Sequence, residues 1–230
     1  MRALRILLIT VVVLGGLFTI ADRLAVNYAE SEAADRIRAS QGLAGSADVS
    51  IRGFPFLTQV LGKELDQVDV TLTGVEASAG GRAVRVGDMS AELHHVQLRN
   101  NFSQAVAASA TGTARISYAD LGRASGEDVT LAHGGNGKVK VTGSVDIPVL
   151  GPVTRSVLST VSVVDGDTIR VRADKVPGEG IPGLEERIRE RTDFDRQVGG
   201  LPAGMKLQKV QATATGLAVT VTGTDVVLAG

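Results

Sequence analysis

The sequence predicts an α+β fold: an antiparallel sheet curled around an amphipathic helix, preceded by an N-terminal hydrophobic helix. Three observations carry this reading. About nine or ten stretches alternate apolar and polar residues with the period of two that marks half-buried strands. Two amphipathic helical stretches accompany them without any βαβ rhythm, which favours antiparallel pairing in one domain. The chain also opens on an apolar run behind two arginines. The 28 glycines of the 230 residues fit a fold of strands and turns better than a helical bundle.

Arg2 and Arg5 precede the apolar run Ile6–Ala21, and Asp22 and Arg23 end it. A basic segment followed by such a run reads as a secretory signal or a signal anchor. Thr19-Ile20-Ala21 is a poor cleavage site, which favours an uncleaved anchor over residues 1–22; a cleaved signal peptide would instead leave the domain secreted. The arginines place the N-terminus in the cytoplasm and residues 23–230, a single domain, outside it. From Leu24 to Ser40, Val26, Ala29, Ala33 and Ile37 recur on one helical stripe, and Glu32 and Arg36 form an i,i+4 pair. Gly42 and Gly45 end this helix. The stripe is narrow and built on alanine, which suits packing on a sheet.

The period then changes to two. Val49 and Ile51 lead into Gly53-Phe54-Pro55-Phe56-Leu57. Proline biases the preceding residue toward extended backbone, so the two rings are expected on one side of a near-strand. Leu57, Val60 and Leu61 continue as a short turn or helical hinge closed by Gly62. Val68, Val70 and Leu72 form a clear half-buried strand, Gly80-Gly81 a turn, Val84 and Val86 a strand, and Met89, Ala91 and Leu93 another. Val96 and Leu98 fall on the opposite phase from Leu93, which predicts a bulge or strong twist at His94-His95. Asn100–Ala110 reads as a short helix, Thr113–Ser117 as a strand, and Tyr118–Gly122 as a helical turn. His133–Gly137 is a turn, Pro148 and Gly151-Pro152 interrupt a strand, and Asp165-Gly166-Asp167 closes a hairpin. A second helix follows Pro182, with Leu184 and Ile188 on one face and Glu185 paired to Arg189. Leu201–Met205 is a loop, and the chain ends on a hairpin about Thr215-Gly216.

Most catalytic chemistry is excluded by composition. There is no cysteine, hence no disulfide, acylated cysteine, thiolate metal site or cysteine nucleophile. A formal charge of −1 and a pI near 6.3 argue against nucleic acid as a partner. Adjacent His94 and His95 point to opposite faces of a strand and cannot share an ion, and His133 sits in a turn. No metal site and no cofactor is expected. Neither a nucleophile elbow nor a phosphate loop occurs. Asp66 and Asp69 are the one carboxylate pair near the aromatic element, and strand alternation separates them too. The chain is therefore read as a non-enzyme.

The chain also resembles a known family. Gly53–Gln59 followed by Leu65-Asp66-Gln67-Val68-Asp69-Val70, then Tyr118-Ala119-Asp120-Leu121, Leu201–Leu207 and Gly216–Gly223, are similar to the LmeA-like family of actinobacterial cell-envelope phospholipid-binding proteins. The resemblance spans about Ala25 to Leu228 and is most specific at the Phe-Pro-Phe segment. It implies a TULIP-like fold in which a curled antiparallel sheet wraps a long helix and leaves an apolar tunnel. It also implies membrane phospholipid as ligand, a role in envelope lipid or lipoglycan metabolism or lipid transfer, and no catalytic centre.

Physical reading and resemblance meet on the apolar sheet face, which is wide against only two modest helices. Either part of it stays open for acyl chains, each buried methylene contributing about 0.8 kcal/mol, or it closes into a dry core. Phe54, Pro55, Phe56, Leu57, Val60 and Leu61 are the expected mouth or wall of a lipid pocket, and Leu201, Pro202 and Met205 a second lip. Arg52 and Lys63 flank the aromatic element as candidates for a lipid phosphate. The alternative function is an envelope scaffold that binds a protein partner through a sheet edge without lipid.

Overall fold

The computed structural model describes residues 2–41, 45–79, 82–125, 129–147, 151–176 and 184–228. The chain order is helix α1 (Arg2–Gln41), strand β1 (Ala47–Arg52), helix α2 (Phe56–Gly62), strands β2 (Glu64–Ala79), β3 (Arg82–Arg99) and β4 (Gln104–Ser117), and helix α3 (Tyr118–Ser125). Strands β5 (Val129–His133), β6 (Val139–Ile147), β7 (Gly151–Val164) and β8 (Thr168–Ala173) follow, then helix α4 (Leu184–Thr192). Strands β9 (Phe194–Gln197), β10 (Met205–Ala212) and β11 (Gly216–Leu228) complete the fold. The strands form two antiparallel sheets. Sheet A has the order β1-β2-β3-β4-β11-β10 and sheet B the order β5-β6-β7-β8-β9. The α+β class is as the alternation predicts, but the apolar surface is divided between two sheets.

One face of sheet A carries the core. Across β2, β3, β4 and β11 the in-register row Leu65–Val96–Ala107–Val226 is followed by Val70–Ala91–Gly112–Val221 and Leu72–Met89–Ala114–Val219. The intervening row Thr71–Ser90–Thr113–Thr220 is polar and points to the other face. The C-terminal half of α1 covers this apolar face at the β1–β2 side, burying Val26 and Ala34 beside Ala47, Val49, Val68 and Leu93. Sheet B covers it at the β10–β11 side, where Val139, Val141 and Val157 meet Leu207, Val210 and Val219, with Tyr118 of α3 and Ile188 of α4 alongside. Met205 packs against both cores.

Both edges of sheet A are engaged. At β1, the Glu30 carboxylate accepts the Ile51 N–H at 2.7 Å and Arg38 Nη2 donates to the Ala47 carbonyl at 2.6 Å. At β10, Leu207 N–H donates to the Gly166 carbonyl in the β7–β8 turn at 2.7 Å. These contacts occupy backbone groups that an edge strand otherwise presents to a passing chain.

Sequence and structure part at several points. The 18-residue β3 is one strand where two are expected. Residues 100–103 form a turn and Gln104 opens β4, so no helix occupies Asn100–Ala110; β4 is held by β3 and β11 on both sides, which overrides local helical spacing. The run from Val139 ends at Ile147 as expected, but Gly151 and Pro152 already belong to β7, opposite Ile147 and Asp146. Helix α3 runs through Gly122 to Ser125. The described strands number eleven. Gly42, Gly80-Gly81, Pro148 and Pro182 lie outside the described residues. The Asp165-Gly166-Asp167 turn is as expected: Val164 pairs with Thr168 across it, and Asp165 and Gly166 have positive φ (55° and 73°). The Glu32–Arg36 and Glu185–Arg189 pairs form at 2.8 and 2.9 Å.

The phase slip at His94-His95 takes an unexpected form. His95 has φ 49° and Asp225 φ 51°. Both fall in one row with Asp66 and Ala108, between the paired rows Leu65–Val96–Ala107–Val226 and Gln67–His94–Ser109–Thr224. The register is identical on the two sides of this row. The result is a crease shared by four strands instead of a register-shifting bulge. Buried residues therefore recur three apart across it: Leu65 and Val68, Leu93 and Val96, Ala107 and Ala110.

Candidate functional site

The predicted aromatic element sits where α1 meets α2. The chain leaves β1 at Arg52, and α2 begins at Phe56 after a cis Phe54–Pro55 peptide. Because a helix starts at Phe56, the alternation expected of an extended segment does not apply, and the rings do not share a side. Phe56 is 7% exposed inside the α1–sheet A core, whereas Phe54 is 56% exposed with the Arg23 guanidinium 5.1 Å from its ring centre. Pro55, Leu57 and Val60 are half-buried, and Leu61 is 82% exposed. The helix closes on Lys63 in the left-handed region (φ 57°), whose N–H bonds back to Val60. The Lys63 side chain is exposed.

A residue that sequence reasoning took only as the end of the apolar run fixes this geometry. Asp22 is completely buried, and its Oδ1 accepts the Leu57 N–H at 2.8 Å. Arg23 lies 3.5 Å from its other oxygen. The bond satisfies one of the amides that every helix start leaves free. It docks α2 one residue beyond Ala21.

Arg52 does not stand free for a phosphate: its Nε donates to Asp69 at 2.8 Å. Asp69 also accepts from Gln67, and these two bonds hold its carboxyl below the usual carboxylate range. A depressed carboxyl is the wrong direction for a general acid. Asp66 is exposed in the crease row.

The second predicted lip lies at the same end of sheet A, near its opposite edge. Leu201 is half-buried against the sheet B core, Pro202 is exposed, and Met205 is half-buried at the start of β10. Val227 N–H donates to the Ala203 carbonyl at 3.3 Å, which ties this loop to the end of β11. The two lips therefore flank one end of the sheet, with β2, β3, β4 and β11 between them.

Between α1 and sheet B the middle of the apolar face is only half covered. Met89 and Ala91 lie in the rows that carry Leu72 and Val70, are half-buried, and belong to neither core. A separate crevice of about 420 Å³ runs between α1 and β1, but Asn27, Glu30, Asp35, Arg38 and Asp48 line it, which makes it polar and unsuited to acyl chains. Among the described residues no group of three or more His, Cys, Asp or Glu is placed to hold a metal.

The match that decides the family spans most of this architecture: the model of the LmeA-like phospholipid-binding family fits residues 20–222. The chain belongs to that family. Comparison with curated proteins and with solved structures gives no match. Membership supports phospholipid as the ligand, and the family is a binding family rather than an enzymatic one. The matched span begins at Ile20, next to the buried Asp22, and includes both predicted lips and the half-covered rows.

Proposed function

We propose that this LmeA-like protein is anchored in the cytoplasmic membrane by residues 1–22 and carries a single lipid-binding domain, residues 23–230, on the outer side. Phospholipid acyl chains lie along the half-covered apolar trough of sheet A, and the protein supports envelope lipid or lipoglycan metabolism or lipid transfer without catalysis. The carrying observation is that the middle rows Val70–Ala91 and Leu72–Met89 of this face are apolar and only half-buried. Helix α1 is long and apolar enough to cross a membrane, and none of its most apolar stretch is buried. That supports the anchor. Phe56, Leu57, Val60 and Met205 form the apolar floor at one end of the trough, and the exposed Lys63 is the cation best placed there for a lipid phosphate.

Native mass spectrometry with lipid extraction tests this on the domain starting at Ala21, purified from a membrane-containing host. The expected result is stoichiometric co-purified phospholipid, lost in a Met89→Asp/Ala91→Asp variant of unchanged melting temperature. A clean apo mass, unchanged after incubation with liposomes, makes the trough a closed core and puts a protein-binding scaffold first. At sheet A that alternative has less support, because both of its edges are already engaged, which leaves the β5 and β9 edges of sheet B for it.

A further inference from the structure

The end of sheet A that carries α2 gathers exposed apolar side chains from separate segments. Phe54 precedes α2, Leu61 lies in its last turn, and Phe102 occupies the β3–β4 turn; they are 56%, 82% and 53% exposed. Single exposed apolar residues need no explanation, but these share one end of the molecule. Leu98 N–H donates to the Lys63 carbonyl at 2.9 Å, which ties the end of α2 to the last residues of β3 before the Phe102 turn. Asp22 ties the start of α2 to α1. From Asp22, α1 runs away from this end, meeting Ile51 through Glu30 and Ala47 through Arg38. Its exposed apolar residues before Asp22 therefore project from the end that carries Phe54, Leu61 and Phe102.

The charges here suit a lipid surface. Arg23 is half-exposed over the Phe54 ring, and Lys63 and Arg99 are exposed. Among the described residues neither Lys63 nor Arg99 forms an ion pair, the Arg99 guanidinium bonding to the Gln97 side chain. Glu64, paired with His95, and the exposed Asp66 and Asp225 are the acidic groups alongside. Apolar tips ringed by cations match the acyl boundary and phosphate layer of an anionic bilayer.

We infer that Phe54, Leu61 and Phe102 enter the outer leaflet beside the anchor helix, with Arg23, Lys63 and Arg99 at the phosphates, and seat this end of sheet A on the membrane. The inference rests on the anchor reading above and adds an orientation: the trough opens at its α2 end onto the bilayer. A tether alone leaves the domain free to tumble.

The chain has no cysteine, so a single introduced one labels uniquely. The full chain carrying Leu61→Cys, Phe102→Cys or Arg85→Cys is labelled with nitrobenzoxadiazole. It is then reconstituted into vesicles of phosphatidylcholine and phosphatidylglycerol in equal parts. Arg85 is exposed toward the opposite end of β3 and serves as the control. The expected result is co-flotation with the vesicles, with about a twofold loss of fluorescence on adding doxyl-labelled lipid at positions 61 and 102 and none at 85. Co-flotation with all three positions unquenched overturns the seat and leaves the anchor standing. Chain that stays out of the floated fraction overturns both.

Discussion

Asp69 and Asp174 show how single carboxylates hold sheet surfaces together. Asp69 accepts from Gln67 and Arg52, and Asp174 accepts from Lys138 and Thr160, so each fastens neighbouring strands. These bonds favour the ionised form and hold both carboxyls below the usual range. A group depressed in this way stabilises the fold fully above its unfolded pKa of about 3.9, and that contribution is lost as pH falls through the folded value. The melting temperature is therefore expected to fall on acidification below about pH 4. Asp69→Asn and Asp174→Asn should each lower the melting temperature at neutral pH and flatten its decline in acid. Calorimetry across that range checks this, and an acid slope unchanged in the double variant contradicts it. Both side chains are about one-quarter exposed, so added salt should shrink the effect.

At the scale of elements, the crease decides how the strands present their buried residues. Asp225 holds its left-handed φ of 51° with partners in register on either side. A residue with a Cβ there costs roughly 1–2 kcal/mol relative to ordinary backbone, least for Asn and Asp, and glycine lacks the clash altogether. Asp225→Gly is expected to be neutral or stabilising by up to about 1 kcal/mol, and Asp225→Val to destabilise by about 1–2 kcal/mol. Urea unfolding distinguishes them, and a Val variant as stable as the Gly variant excludes the crease as a constraint. The same element shows what the sequence could reveal. The slip between Leu93 and Val96 was legible because buried residues three apart break a period of two. Its extension through Asp66, Ala108 and Asp225 was not, because sequence alone does not supply the register that aligns four strands. Likewise Phe102 and Val106 mimic helical spacing, and only β3 and β11 on either side make that segment a strand. The α2 hinge and the loop at Leu201–Met205 could be read from proline, glycine and apolar spacing. The role of Asp22 could not, since its partner amide lies 35 residues away.

For the whole molecule, α1 joins an exposed apolar stretch before Asp22 to a stretch packed on sheet A after it, and truncation should separate the two. The apolar stretch before Asp22 is exposed throughout and contributes nothing to either core. A chain starting at Asp22 is expected to melt within a few degrees of the full chain. A chain starting at Ser46 loses Val26 and Ala34 from the core over β1–β3, along with the bonds of Glu30 and Arg38 to β1. It also loses the acceptor for Leu57. Burial of Val26 alone is worth about 1.5–3 kcal/mol, and the orphaned amide costs about 1–3 kcal/mol, against a total stability of roughly 5–15 kcal/mol for a domain. The damage should be directional. The second core lies between sheet B and the β10–β11 side of sheet A and takes no residue from α1. Hydrogen exchange on the Ser46 chain is therefore expected to show β1, α2 and the start of β2 unprotected while β6, β7, β10 and β11 keep slow amides. Uniform loss of protection would mean that the two cores fold as one unit, with Met205, which touches both, coupling them. Full retention would mean that α1 lies on the sheet without supporting it.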